Sequence, residues 1–149
     1  GEARSARREA YFLAEAERLR ASVKTPLMVT GGFRTAECMA AALASGACDI
    51  VGLARPLCVE PDGPARLLAD PSHRLPQPEK VLRFGPGPLS PSGRLAIVKL
   101  LNGFGVQAWF CRQILNLGCG REPDPRLSVW KALWQHQRRE LMMAKALHR

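Results

Sequence analysis

Two short stretches carry residue types and spacing suited to chemistry: Thr30-Gly31-Gly32-Phe33-Arg34-Thr35 and Gly52-Leu53-Ala54-Arg55-Pro56. Each follows a short apolar run and precedes a segment that reads as helix. The glycine pair lets backbone N–H groups approach an anion with no Cβ in the way. A helix opening at Thr35 adds its N-terminal partial positive charge, and Arg55 offers a planar fork of donors suited to phosphate. Two such loops, side by side, converge on one phosphate group. The structural alternative is a tight Gly-Gly turn and a solvated arginine. Other chemistries find less support. No G-x-x-x-x-G-K-[ST] occurs, and Gly85-Pro86-Gly87-Pro88 follows no strand and reads as a loop. Cys38, Cys48, Cys58, Cys111 and Cys119 form no C-x-x-C pair, no H-x₃₋₅-H accompanies them, and their number is odd. Neither a metal site nor a disulfide framework is expected; buried or half-buried thiols in a reducing, cytoplasmic compartment are.

The elements that must position these loops are legible from periodicity. Phe12, Ala16, Leu19 and Val23 mark one face of a helix over about Ala6 to Val23, ended by Lys24-Thr25-Pro26. Leu27 to Thr30 and about Cys48 to Leu53 are near-continuous apolar runs, the pattern of parallel strands covered on both faces. Between them, Thr35 caps an alanine-rich helix over Ala36 to Ser45, and Gly46 follows as a stop. Strand, helix and strand with short joints imply a βαβ unit in a parallel sheet, whose carboxyl edge is where ligands bind. Short helices are expected after Arg55-Pro56 and over Pro64 to Ala69. Residues 70–92, rich in proline, read as a linker or extended arm. Three helices follow, at about 93–101, 106–117 and 127–147, punctuated by Gly103, Gly105, Gly118 and Gly120.

At the two loops the sequence resembles a known family. Pro-Leu-Met-Val-Thr-Gly-Gly-Phe-Arg-Thr, followed by Ala-Leu-Ala-Ser-Gly-Ala-Cys-Asp-Ile-Val-Gly-Leu-Ala-Arg-Pro-Leu, is similar to the old yellow enzyme family of NADH:flavin oxidoreductases, over about residues 6–70. The resemblance implies an α/β fold: residues 1–70 would be the last two βα units of a (β/α)8 TIM barrel, residues 71–92 an arm, and residues 93–149 a basic α-helical extension. It implies FMN as cofactor, NAD(P)H as reductant and hydride transfer to a small-molecule acceptor such as an activated alkene, the ene-reductase type of reaction. By position, Gly32 and Phe33 would offer N–H groups to the FMN phosphate after one strand. Ala54 and Arg55 would do so after the next, with Gly31 shaping the first turn. Ala54 stands where the family most often has glycine, and a positive φ there would be costly for alanine. The family's His/Asn or His/His pair and its tyrosine have no counterpart here. Tyr11 reads as a packing residue, His136 and His148 as solvated, and no catalytic residue is assigned.

Composition bounds the rest. The 149 residues are 46% hydrophobic and 23% charged, ordinary for a globular chain of one-domain size, roughly 100–200 residues. No run of about 18 apolar residues suggests a membrane span. Without an initiator methionine or secretory signal at its start, the chain is expected to belong to something longer. The net charge of +9 is divided unevenly: residues 1–72 carry nine basic and nine acidic side chains, residues 73–149 thirteen and four. The basic half holds an apolar surface at Trp109, Phe110, Ile114, Leu115 and Leu117 and a stripe at Trp130, Leu133, Trp134 and Leu141. Packing on its own barrel or on a sister subunit is the first expectation for this extension. A membrane surface comes second, and nucleic acid third, since no recognised motif supports it. A rival to the enzyme is a non-enzymatic helical adaptor whose basic tail does the binding.

Overall fold

The computed structural model describes residues 12–86 and 95–147. The start of the first helix at Ala6, Tyr11, Pro88, Pro91, the opening of the helix at 93, His148 and Arg149 lie outside them. The chain divides into two compact units between Gln77 and Pro78. It is mixed α/β, mostly helical, with a two-stranded parallel sheet.

In the first unit, α1 (Leu13–Arg20) leads to β1 (Met28–Thr30), α2 (Ala36–Ala44) and β2 (Ile50–Gly52). The strands pair in parallel, Met28 with Ile50, Val29 with Val51 and Thr30 with Gly52. The α2 boundaries follow from capping. Thr35 Oγ1 accepts from Cys38 N at 3.4 Å, and Gly46 takes φ +73° just past the C-terminus, a conformation glycine adopts without a Cβ clash. Ala16, Val29, Phe33, Ala42 and Cys48 form the core, with Leu13, Met39, Val51 and Leu53 partly buried around it. Burial pushes the Cys48 thiol above its ordinary pKa, and the charge of Asp49 adds to the effect.

Two expectations change here. The first helix stops at Arg20 rather than Val23, because Ser22 N and Val23 N both turn back to Leu19 O, at 2.9 and 3.1 Å. Among the described residues, the strands are covered on one face only. Val29 is buried, while Met28 and Ile50 are 62% and 47% exposed, since core residues lie against one face of the two strands. Asp49 ties these elements together: its carboxylate accepts two hydrogen bonds from the Arg20 guanidinium, both 2.9 Å, and one from Leu27 N at 2.8 Å. The Leu27 N–H foremost, and then Arg20, hold the Asp49 carboxyl below the usual carboxylate range.

A 3₁₀ turn (Arg55–Cys58) and α3 (Gly63–Ala69) follow β2. Residues 70–77, read from the sequence as the start of an arm, pack within the first unit. Leu75 is 1% exposed, and His73 Nε2 lies 2.7 Å from Glu60 Oε1.

The second unit holds a 3₁₀ turn (Pro78–Lys80), α4 (Ala96–Gly118) and α5 (Val129–Leu147), with α4 and α5 packed together. The two helices expected at 93–101 and 106–117 are one. Gly103 and Gly105 do not break it because neither needs a positive φ. Gly105 instead admits neighbours: a Cβ there would lie 2.5 Å from Val129 and 2.7 Å from Phe84. Several buried polar groups find partners within the unit. Trp109 Nε1 donates to Leu127 O at 2.8 Å. Gln113 both donates to Asp124 O (2.9 Å) and accepts from Asp124 N (2.7 Å). His136, read as solvated, is half-buried. On α5 the buried residues are Val129 and Ala132, not the Trp130–Trp134–Leu141 stripe, whose members are 54–61% exposed.

Candidate functional site

Parallel pairing of Thr30 with Gly52 brings the two loops out at the same edge of the sheet, from strands that lie roughly 4.8 Å apart. In the first loop Gly31 and Gly32 take φ +145° and +76°. L-residues with side chains rarely adopt such angles, so this backbone is written into the glycine pair. Phe33 then turns inward, 1% exposed, and Arg34 is 6% exposed, with Nη1 donating to Phe33 O at 2.7 Å. The loop ends at Thr35, the cap of α2, so the N-terminus of that helix opens beside it.

The second loop starts at Gly52, and the reason for glycine there is steric. A Cβ would run into Thr30 Oγ1, with Thr30 Cβ at 3.1 Å and Met28 Sδ at 3.2 Å. Only a bare backbone lets the Thr30 side chain lie over it. Ala54 takes φ −131° and ψ −80°. The φ is negative, so alanine replaces glycine here without the cost expected of a left-handed residue. Ala54 and Arg55 are exposed, and Ala54 O accepts from Leu57 N at 3.0 Å as the 3₁₀ turn begins. Of the five residues expected at the site, Gly31, Gly32, Ala54 and Arg55 therefore lie in loops leaving paired strand ends. Phe33 follows in the first loop, with its ring in the core.

The brace of the first loop is not visible in the sequence. Leu75 N donates to Arg34 O at 2.9 Å, and Thr35 forms an antiparallel bridge with Arg74. These contacts depend on residues 70–75 being held back against α3. The Glu60–His73 contact holds them there, as does Leu75 packing at Gly63, where a Cβ would lie 2.6 Å from Leu75 Cδ2. Arg66 adds an ion pair to Glu60 at 3.4 Å. The one sequence signal was an isolated leucine between His73-Arg74 and Pro76, too short to show periodicity.

All five cysteines are thiols. Among the described residues no group of three His, Cys, Asp or Glu side chains is placed to hold a metal ion. No helix among them is long and apolar enough to cross a membrane.

Comparison with known proteins bears on what this edge is for. The chain is 45% identical over 64 residues to the NADH-dependent flavin oxidoreductase iccE of Talaromyces variabilis, covering 42% of this chain and 16% of that protein. It is 39% identical over 79 residues to the NADH-dependent flavin oxidoreductase iliE of Neonectria sp. (strain DH2), covering 52% of this chain and 9% of that one. It is 44% identical over 54 residues to iliE of Hypocrea jecorina (strain QM6a), covering 36% and 14%. The resemblance is to old yellow enzyme-like flavin oxidoreductases. The chain spans less than a fifth of the length of each of these curated relatives. No family profile matches the chain. No solved structure matches it.

Proposed function

We propose that this chain supplies the phosphate-binding end of an FMN site in an NADH-dependent flavin oxidoreductase. The observation that carries the reading is the side-by-side exit of the Gly31-Gly32 and Ala54-Arg55 loops from paired parallel strands. The residues present fit a phosphate. Two glycines leave a side-chain-free cradle, the N-terminus of α2 contributes partial positive charge, and Arg55 brings a forked cation. Gly32 N–H, Phe33 N–H and Ala54 N–H would take phosphate oxygens, Gly31 would set the turn, and the Arg55 side chain would neutralise charge. When bound, FMN supplies hydride transfer between NADH and an acceptor, and the ene-reductase type of acceptor, an activated alkene, is part of this proposal. The protein's task at this edge is to bind and orient; the groups that act on substrate lie outside these 149 residues in this reading. The two βα units would then be the closing part of a TIM barrel, where the carboxyl edge is the binding face.

The test is to purify the product of the complete gene, record its visible absorption and add NADH without oxygen. A yellow protein whose flavin absorption bleaches on NADH supports the reading. A colourless protein that takes up no FMN would overturn it.

A further inference from the structure

From Gln137 to Leu147 every residue of α5 is exposed. This half-helix carries Leu141, Met142, Met143 and Leu147, each 48–85% exposed, and Trp134 one turn earlier is 61% exposed. Beside it runs a groove lined by Arg112 of α4 and by Trp134, Gln135, Arg138, Arg139 and Met142 of α5. Arg112 Nε and Gln135 Oε1 are buried in this groove with no hydrogen-bond partner. The Arg138 guanidinium lies 5.4 Å from the Trp134 ring centroid, an aromatic–cation pair with an apolar body and a charged rim. A second copy of this face would set cations against cations.

We propose that this face of α5 lies on a membrane surface rich in anionic phospholipid. A phosphatidylglycerol-type headgroup would sit at the exposed Arg138 and Arg139, and Trp134 and Met142 would enter the interface. The charge is complementary: residues 73–149 carry thirteen basic and four acidic side chains, and basic segments are drawn to anionic leaflets. The mode is peripheral, an amphipathic helix in the plane of the interface.

The experiment is co-sedimentation of the complete gene product with vesicles of phosphatidylcholine alone or mixed with phosphatidylglycerol, with a vesicle-free control and tryptophan emission recorded in parallel. Binding to the mixed vesicles only is expected, with a blue shift that Trp134→Phe reduces. Arg138→Gln/Arg139→Gln should bind roughly tenfold more weakly, because each basic residue near an anionic surface adds to the attraction. Both side chains are exposed, and unchanged helix content by circular dichroism separates lost binding from lost fold. Four results would overturn the proposal: no vesicle binding, equal binding to both vesicles, binding of soluble glycerol phosphate or poly-glutamate with vesicles ignored, or full binding by the double variant.

Discussion

Gly52 is the residue on which the two loops lean most directly. Thr30 occupies the space its Cβ would need, so Gly52→Ala must displace the Thr30 side chain and with it strain the paired strand ends. A loss of about 1–3 kcal/mol in unfolding free energy is expected, as for other overpacked sites, read as a shift in the urea midpoint. An unchanged midpoint would show that Thr30 rotates away freely. At the other end of the strands, Asp49 carries a pH signature. Its carboxyl is held below the ordinary range by Leu27 N–H and Arg20, so its stabilisation is complete above the unfolded-state pKa. That contribution fades as pH falls through the lower folded-state value. The melting-temperature gap between wild type and Asp49→Asn should therefore be widest near neutrality and close below about pH 4. A gap that stayed constant into acid would exclude Asp49 as its source. The roles of these residues were only partly open to sequence reading. The Gly31-Gly32 pair and Arg55 stand out by type and spacing, but nothing in Gly-Leu-Ala-Arg-Pro shows that Ala54 keeps a negative φ.

At the scale of elements, periodicity and capping located α2 and both strands to within a few residues, because Thr35 and Gly46 act locally. Gly103 and Gly105 read as stops in the sequence, yet α4 runs through both. Within a helix glycine costs about 0.5–1 kcal/mol relative to alanine, which packing readily offsets. The two glycines should behave oppositely. At Gly103 a Cβ meets nothing within 4 Å, so Gly103→Ala should stabilise the second unit by up to about 1 kcal/mol. Gly105→Ala pushes a methyl into Val129 and Phe84 and should destabilise it by roughly 1–3 kcal/mol. Thermal denaturation of the pair decides it; equal shifts of the same sign would contradict the packing role of Gly105. The brace by Leu75 was invisible because it rests on one buried leucine within a proline-rich stretch. Leu75→Ala, removing a side chain that is 1% exposed, should cost about 2–5 kcal/mol and loosen the Arg34 backbone, seen as faster amide exchange at Leu75.

At the scale of the whole molecule, the sheet presents Met28 and Ile50 to solvent, and two strands of a sheet leave both outer edges open to other chains. Residues 1–149 expressed alone should therefore self-associate in size-exclusion chromatography and retain no flavin. The sequence suggested strands covered on both faces because apolar runs do not state which neighbour covers them. The resemblance to flavin oxidoreductases of much greater length supplies a reason for that mismatch: in the proposed barrel, other parts of the protein lie there. In the proposed site the loop pair holds a phosphate, and riboflavin differs from FMN in lacking that group. The decisive measurement is the dissociation constant of each from the apoprotein of the complete gene product, by flavin fluorescence, in wild type and in Arg55→Ala. FMN should bind far more tightly than riboflavin. Arg55→Ala should weaken FMN by about 1.5–3 kcal/mol, the worth of a charge-assisted hydrogen bond, and leave riboflavin unchanged. Equal affinity for the two flavins in the wild type, or an Arg55→Ala variant that keeps the full preference for FMN, would contradict it.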